Sequence, residues 1–479
     1  MLASIGAASI DELFDDIPEG VRLRDGLKLP APLAEGELVA ELQRLADANT
    51  PATRMTSFLG GGVYDHYVPA VVDAVTGRSE FYTAYTPYQA ERSQGVLQAI
   101  FEYQTAVCEL TALGASNASL YDGATALAEA AFLAHAETRR TKIIVSGVVH
   151  PEYRQVLATE AHGIGLGIVE VVGDGGGLTD TAALRAAVDA QTAAVAVQQP
   201  TFLGGLEDMA AAARVAHAAG ALFIAVVDPI SLGVLASPGE YGADVAVGEG
   251  QPLGNYLDFG GPHLGFMAVR ENLLRRMPGR IVGETVDSEG KRGFVLTLQT
   301  REQHIRRERA TSNICSNQAL NALAALVYLS WLGKEGLPTL GELCARKAAY
   351  LRERVLAVPG VAAFTHGPVF REFAVKLPVP ARRAVHALAA RGYLAGVDVG
   401  RWWPALDHVL LLAVTEKRTR REMDAFVAEL EAFLDDPSAY EAVSAPLPSA
   451  SAQELPLVGS PTAASSASTV APTPEVRHG

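Results

Sequence analysis

The chain has 479 residues, 49% hydrophobic and 19% charged, the balance of a soluble globular protein with a large core. Its net charge of −15 argues against a general nucleic-acid binder and against attraction to anionic membranes. The longest apolar stretch, near residues 319–333, is too short to span a bilayer. Residues 1–18 lack the features of a secretory signal, and Cys108, Cys315 and Cys344 are too scattered for a metal pair or a disulfide framework. A cytoplasmic protein with reduced thiols is expected, without nucleic acid, membrane or metal.

Residues 1–57 read as a helical arm of the kind that wraps a neighbouring subunit. Ser9–Glu12 resembles a helix start, and residues 35–48 place Leu38, Leu42 and Leu45 at helical spacing. A Gly- and Tyr-rich segment follows at 58–88, of a composition that suits a loop lining a site. Residues 89–113 carry a helical stripe of Val96, Ile100, Tyr103 and Val107. Helices are then expected at 124–139, 151–161 and 207–219. Short apolar strands are expected at 142–145, 168–172, 193–197, 221–227, 243–247 and 265–269. This alternation predicts an α/β fold with a mostly parallel sheet covered on both faces, in a large domain over 58–310.

A linking helical region is expected over 301–333 and a further helix over 336–357, and residues 311–436 are assigned to linking helices and a small C-terminal α/β domain. The small domain has strands at 361–365, 372–377 and 409–414, and helices at 381–391 and 419–434. Residues 437–479 form a Ser-, Ala- and Pro-rich tail with too few large apolar groups to offset the entropy of ordering.

Three positions suggest a pyridoxal-phosphate scaffold. Asp228 ends a buried-type strand, where ligands collect in open α/β sheets, and suits a partner for a pyridinium nitrogen; it equally suits an Asp-Pro turn. The turn Asp122, Gly123, Thr125 opens a strong helix and can hold a phosphate, or Asp122 can simply cap the helix. His150 can stack on a cofactor ring or be a loop residue. Such an enzyme needs a Schiff-base lysine, yet no lysine occurs between Lys142 and Lys291. Gly250 and Gln251 stand where it is expected, and glutamine forms no imine. A basic cluster of Arg301, His304, Arg306, Arg307 and Arg309 either steers an acidic partner or forms a solvated helix face.

Long motifs then carry a resemblance. They are FLGGGVYDHYVPAVVDAV from Phe58, YTPYQAERSQGVLQAIFEYQT from Tyr85, NASLYDGATALAEA from Asn117 and VGEGQPLG from Val247. FGGPHLGFMAVR from Phe259, LQTREQHIRRERATSNICSNQAL from Leu298 and PVFREF from Pro368 complete the set. Over residues 10–434 the chain resembles the α-type subunit of two-chain glycine decarboxylases, the P-proteins of the glycine cleavage system.

The resemblance implies a fold type I, PLP-dependent aminotransferase-like architecture and an α2β2 assembly with a PLP-bearing β subunit. The assembly decarboxylates glycine and passes the aminomethyl group to the lipoyl arm of H-protein. On this reading PLP belongs to the partner, and no residue of this chain is assigned as catalytic. Asp122, Gly123, Thr125, His150, Asp228, Gly250 and Gln251 become vestigial positions. Gly60, Gly61, Gly62, His66, Tyr85, Thr86 and Tyr88 become candidates to complete the partner's site, and the basic cluster a dock for H-protein. A purely structural pseudoenzyme, or an autonomous transaminase or aldolase using Lys142 or Lys291, stay open as alternatives.

Overall fold

The computed structural model describes residues 1–23, 26–310 and 312–441 in two compact units, 1–54 and 55 onward. The first unit holds the helices Leu2–Ile5 and Glu35–Asp47, and no residue of either is buried. Leu38, Leu42 and Leu45 form the expected stripe but stand open. The expected helix start at Ser9–Glu12 yields only a 3-10 turn over Asp11–Phe14.

In the second unit seven strands form one sheet: β1 (Ala115–Ser116), β2 (Lys142–Ser146), β3 (Gly167–Val171), β4 (Thr192–Gln199), β5 (Leu222–Val227), β6 (Val245–Glu249) and β7 (Gly265–Val269). Their order is β1-β7-β6-β5-β4-β2-β3, parallel from β6 through β3, with β7 antiparallel to both its neighbours. Successive side chains of a strand face opposite sides, so each strand feeds two cores. Ile144, Val195, Phe223 and Ala246 join one face, where the helices Gln94–Thr111, Met209–Ala218 and Ala319–Leu356 pack. Ile143, Ala194, Ile224 and Val247 join the other, under Gly123–Thr138 and Pro151–Ile164. The apolar, non-alternating strands follow from this double burial.

A four-stranded antiparallel sheet is built from Ala362–Ala363, Glu372–Lys376, Val409–Ala413 and Val397–Asp398. The helices Ala381–Ala389 and Arg420–Asp435 pack on it through Ala384, Leu388, Phe426 and Leu430. Thr56–Ser57 pairs in parallel with Tyr393–Leu394, which tethers the start of the Gly/Tyr-rich segment to this region.

One expectation needs correction, and one element is additional to those expected. The helix expected from residue 301 begins only at Ala319, and residues 299–309 form short turns. The Arg301 side chain donates to the carbonyls of Leu298, Met277 and Gly279, which pins this segment as a turn. From Ala319 the helix runs to Leu356 through a break at Gly333, whose φ of 63° suits glycine. The hairpin Ile281–Val286 with Arg292–Thr297 was not anticipated. Of the expected tail, Pro437–Glu441 is a short helix and 442–479 lie outside the described residues.

Candidate functional site

Strand β5 delivers Asp228 to its C-terminal end, and β6 delivers Glu249 and Gln251 beside it. Facing them is Arg371, one residue ahead of the strand Glu372–Lys376. Arg371 is 1% exposed, and its guanidinium lies 2.5 Å from the Asp228 carboxylate. The same guanidinium sits 3.3 Å from the centroid of the Tyr64 ring and donates to His66 Nε2 at 2.5 Å. Since Nε2 accepts, Nδ1–H is left to donate to Glu416 at 2.7 Å. Breaking such a buried pair at one partner costs about 3–5 kcal/mol.

Tyr64 is held on both sides. Its hydroxyl donates to Glu372 at 2.5 Å, while Gln251 accepts from its amide at 2.9 Å and donates to its carbonyl at 3.1 Å. Gln251 therefore serves as a clamp on the 58–66 segment. The glycines ahead of Tyr64 allow close approach: a Cβ on Gly60 would lie 2.2 Å from Glu372, and one on Gly62 2.8 Å from His150. Gly61 donates to Glu372 at 2.6 Å.

Asp122 caps the helix Gly123–Thr138 by accepting from the Thr125 amide at 2.7 Å. The oxyanion position beside that helix start holds the Glu249 carboxylate. It accepts from the amides of Gly123 at 3.1 Å and of Gln251 and Leu264 at 2.9 Å each. His150 stacks on Tyr153 with centroids 4.5 Å apart, and its Nε2 donates to the Gly61 carbonyl at 2.7 Å.

These residues do not fit pyridoxal phosphate. The cavity between Gly62, His150, Asp228, Glu249 and Arg371 measures about 30 Å³, enough for about one water molecule. Asp228 is ion-paired to Arg371, Glu249 takes up the amides at the helix start, His150 already stacks on Tyr153, and Gln251 offers no amine for an imine. His66, Cys344 and Glu416 bring ligand-type atoms within 4.8 Å of one another. The Arg371 cation on His66 and a Cys344 thiol pushed up to about 12 by burial make this a hydrogen-bonded network instead.

The structure gathers Gly60, Gly61, Gly62, His150, Asp228 and Gln251 in one place, with Asp122, Gly123, Thr125 and Gly250 at its edge. Two expectations change here. His66 is 6% exposed and bound to Arg371 and Glu416, so it is committed inside this chain. Arg301 is turned onto backbone carbonyls and is no docking residue. Tyr85 and Tyr88 are exposed, Thr86 half-buried, and His304, Arg306, Arg307 and Arg309 exposed. Sequence reasoning missed Arg371, Glu249 and Glu372. A charged Arg-Glu pair at the start of an apolar strand, and a Glu ending one, were the available signals.

Fold and site together define a type I pyridoxal-phosphate-enzyme scaffold whose own cofactor pocket is closed. The family model described as "Glycine cleavage system P-protein" matches residues 1–430, and the chain belongs to that family. It is 55% identical over 434 residues to a protein of Moorella thermoacetica called "Probable glycine dehydrogenase (decarboxylating) subunit 1", covering 91% of this chain and 97% of that one. A crystal structure of glycine decarboxylase (P-protein) of the glycine cleavage system, in inhibitor-bound form, matches with a TM-score of 0.85 and 48% identity, over 90% of this chain and 97% of that chain. A Burkholderia pseudomallei sphingosine-1-phosphate lyase, 15% identical with a TM-score of 0.63 over 88% of this chain and 95% of that chain, shares the fold.

Burial raises Glu249 to about 8 and Glu372 to about 7, from an ordinary 4.5. The folded chain thus keeps protons that the unfolded chain releases, and stability falls as pH rises through this window. Glu416, lowered to about 2 with help from His66, acts oppositely and only in acid. Urea unfolding is therefore expected to show a free energy declining from about pH 4.5 to about pH 8, and a shallower decline in Glu249→Gln. A flat wild-type profile, or an unchanged slope in the variant, contradicts these assignments.

Proposed function

We propose that this chain is the lysine-less subunit of a glycine decarboxylase, active only with a second, PLP-bearing chain. Gln251 carries the reading: the residue at the Schiff-base position forms no imine and instead clamps Tyr64. The "subunit 1" designation of the relative supports a partner, and an α2β2 assembly is the form the family resemblance suggests.

In that assembly the exposed Tyr85 and Tyr88 face the partner and help to wall its glycine pocket. Aromatic side chains there exclude water, which favours loss of a carboxylate whose charge disperses in the transition state. The exposed His304, Arg306, Arg307 and Arg309 receive H-protein, an acidic partner whose lipoyl arm accepts the aminomethyl group. No helix of the described residues is long and apolar enough to cross a membrane, in keeping with work in the cytoplasm.

Borohydride reduction in the presence of PLP, followed by mass spectrometry, is expected to label a lysine of the partner and none of this chain. A glycine-responsive pyridoxyl-lysine here, at Lys142 or Lys291, would instead make the chain an autonomous enzyme. Charge reversal at Arg306 and Arg307 together is expected to weaken aminomethyl transfer to H-protein about tenfold at low salt and to flatten its salt dependence. Unchanged transfer would remove the docking assignment.

A further inference from the structure

Arg280 sits just ahead of the strand Ile281–Val286 and is 5% exposed. Among the described residues no carboxylate pairs with it. One guanidinium nitrogen reaches the side-chain oxygen of Asn317 at 3.5 Å and the other reaches the Tyr88 hydroxyl at 3.3 Å. Both contacts are neutral and long for N–H donors. Nε is buried without an acceptor, as it is in Arg352 and Arg371, so the difference lies in what the terminal nitrogens meet.

Other arginines of the same unit are answered better. Arg371 has Asp228 at 2.5 Å. Arg352 donates to Thr365 and Gly367 carbonyls at 2.6 and 2.8 Å, and Arg140 to Ala219 and Thr192 carbonyls at 2.8 and 2.9 Å. A guanidinium stripped of water and left without a counter-charge is the costly case. An oxyanion, which meets its planar fork with two parallel bonds, is the natural complement.

The surroundings favour an anion. Tyr88, 58% exposed, lies against the guanidinium with its ring centroid 5.7 Å away. The His304 ring packs edge-on against Tyr88 at 6.4 Å, and the exposed Arg306, Arg307 and Arg309 follow it in a chain that is otherwise strongly acidic.

We infer that Arg280, with the Tyr88 hydroxyl and Asn317, binds an oxyanion, a carboxylate or phosphate, delivered at the Tyr88 surface. The Tyr88 hydroxyl and the Arg280 fork then donate to the anion in place of their long mutual contact. This deepens the assignment of Tyr88 to the partner-facing surface and rests on it. The anion is either a small free one or an acidic side chain of the PLP-bearing partner.

The test uses the full chain, alone and with the candidate partner, at constant ionic strength. Inorganic phosphate and glycine are the probes, read by thermal unfolding and equilibrium dialysis. If the anion is free, one probe raises the unfolding temperature saturably, and Arg280→Met weakens its binding about tenfold, with partial rescue in Arg280→Lys. If the partner supplies the anion, neither probe acts on the isolated chain, while Arg280→Met weakens association with the partner about tenfold and flattens its salt dependence. Neither effect in a folded Arg280→Met chain overturns the proposal. Should that variant not fold, the exposed Tyr88→Phe carries the comparison: weakened anion binding or association supports the site, and wild-type values for both overturn it. The borohydride experiment reads the cofactor assignment separately, so the two failures are distinguishable.

Discussion

The ion pair between Arg371 and Asp228 is the constraint on which the centre of this chain depends. It joins the C-terminal end of β5 to a residue 143 positions later in the sequence, next to the antiparallel sheet. A buried guanidinium needs its charge met and its donors used. Asp228 does the first, and His66 and the Tyr64 face take up much of the rest. That arrangement draws the Gly60–Tyr64 stretch into the space between the sheets. Close packing then requires glycines at 60 and 62, because side chains there would collide with Glu372 and His150, while Gly61 takes a φ of 78° that suits glycine.

The same logic covers the other polar groups gathered at these strand ends. A fold with a buried aspartate and a helix start aimed at one cavity has polar groups to satisfy whether or not a cofactor is present. Here protein groups satisfy them: Arg371 for the aspartate, Glu249 for the backbone amides, Tyr153 for the histidine face and Gln251 for the Tyr64 backbone. Arg280 is the contrast, since its charge is buried and the described residues offer it only neutral oxygens at long range.

Much of the fold was legible because burial on both faces leaves a strong sequence signal. The runs at Ile143, Ala193, Leu222 and Val245 have few readings other than sheet-core strands. The hairpin at 281–297 was missed because Gly283, Gly293 and charged residues interrupt its apolar pattern. The basic segment at 299–309 was read as helix, although Arg301 bonding to carbonyls holds it in turns. Asp122, Asp228 and Gln251 stand out in the sequence through their positions at element ends. Arg371 and Glu416 do not, because their partners lie hundreds of residues away and no local spacing reports such a contact.

The central claim is that the pocket is closed by its own side chains and does not merely lack a lysine. Restoring that lysine alone separates the two statements. Gln251→Lys, titrated with PLP and followed by imine absorbance and borohydride trapping, is expected to remain unlabelled at position 251, because Arg371, Tyr64 and Glu249 still fill the space. A saturable imine at that lysine, with Asp228 and Arg371 unchanged, would contradict the account.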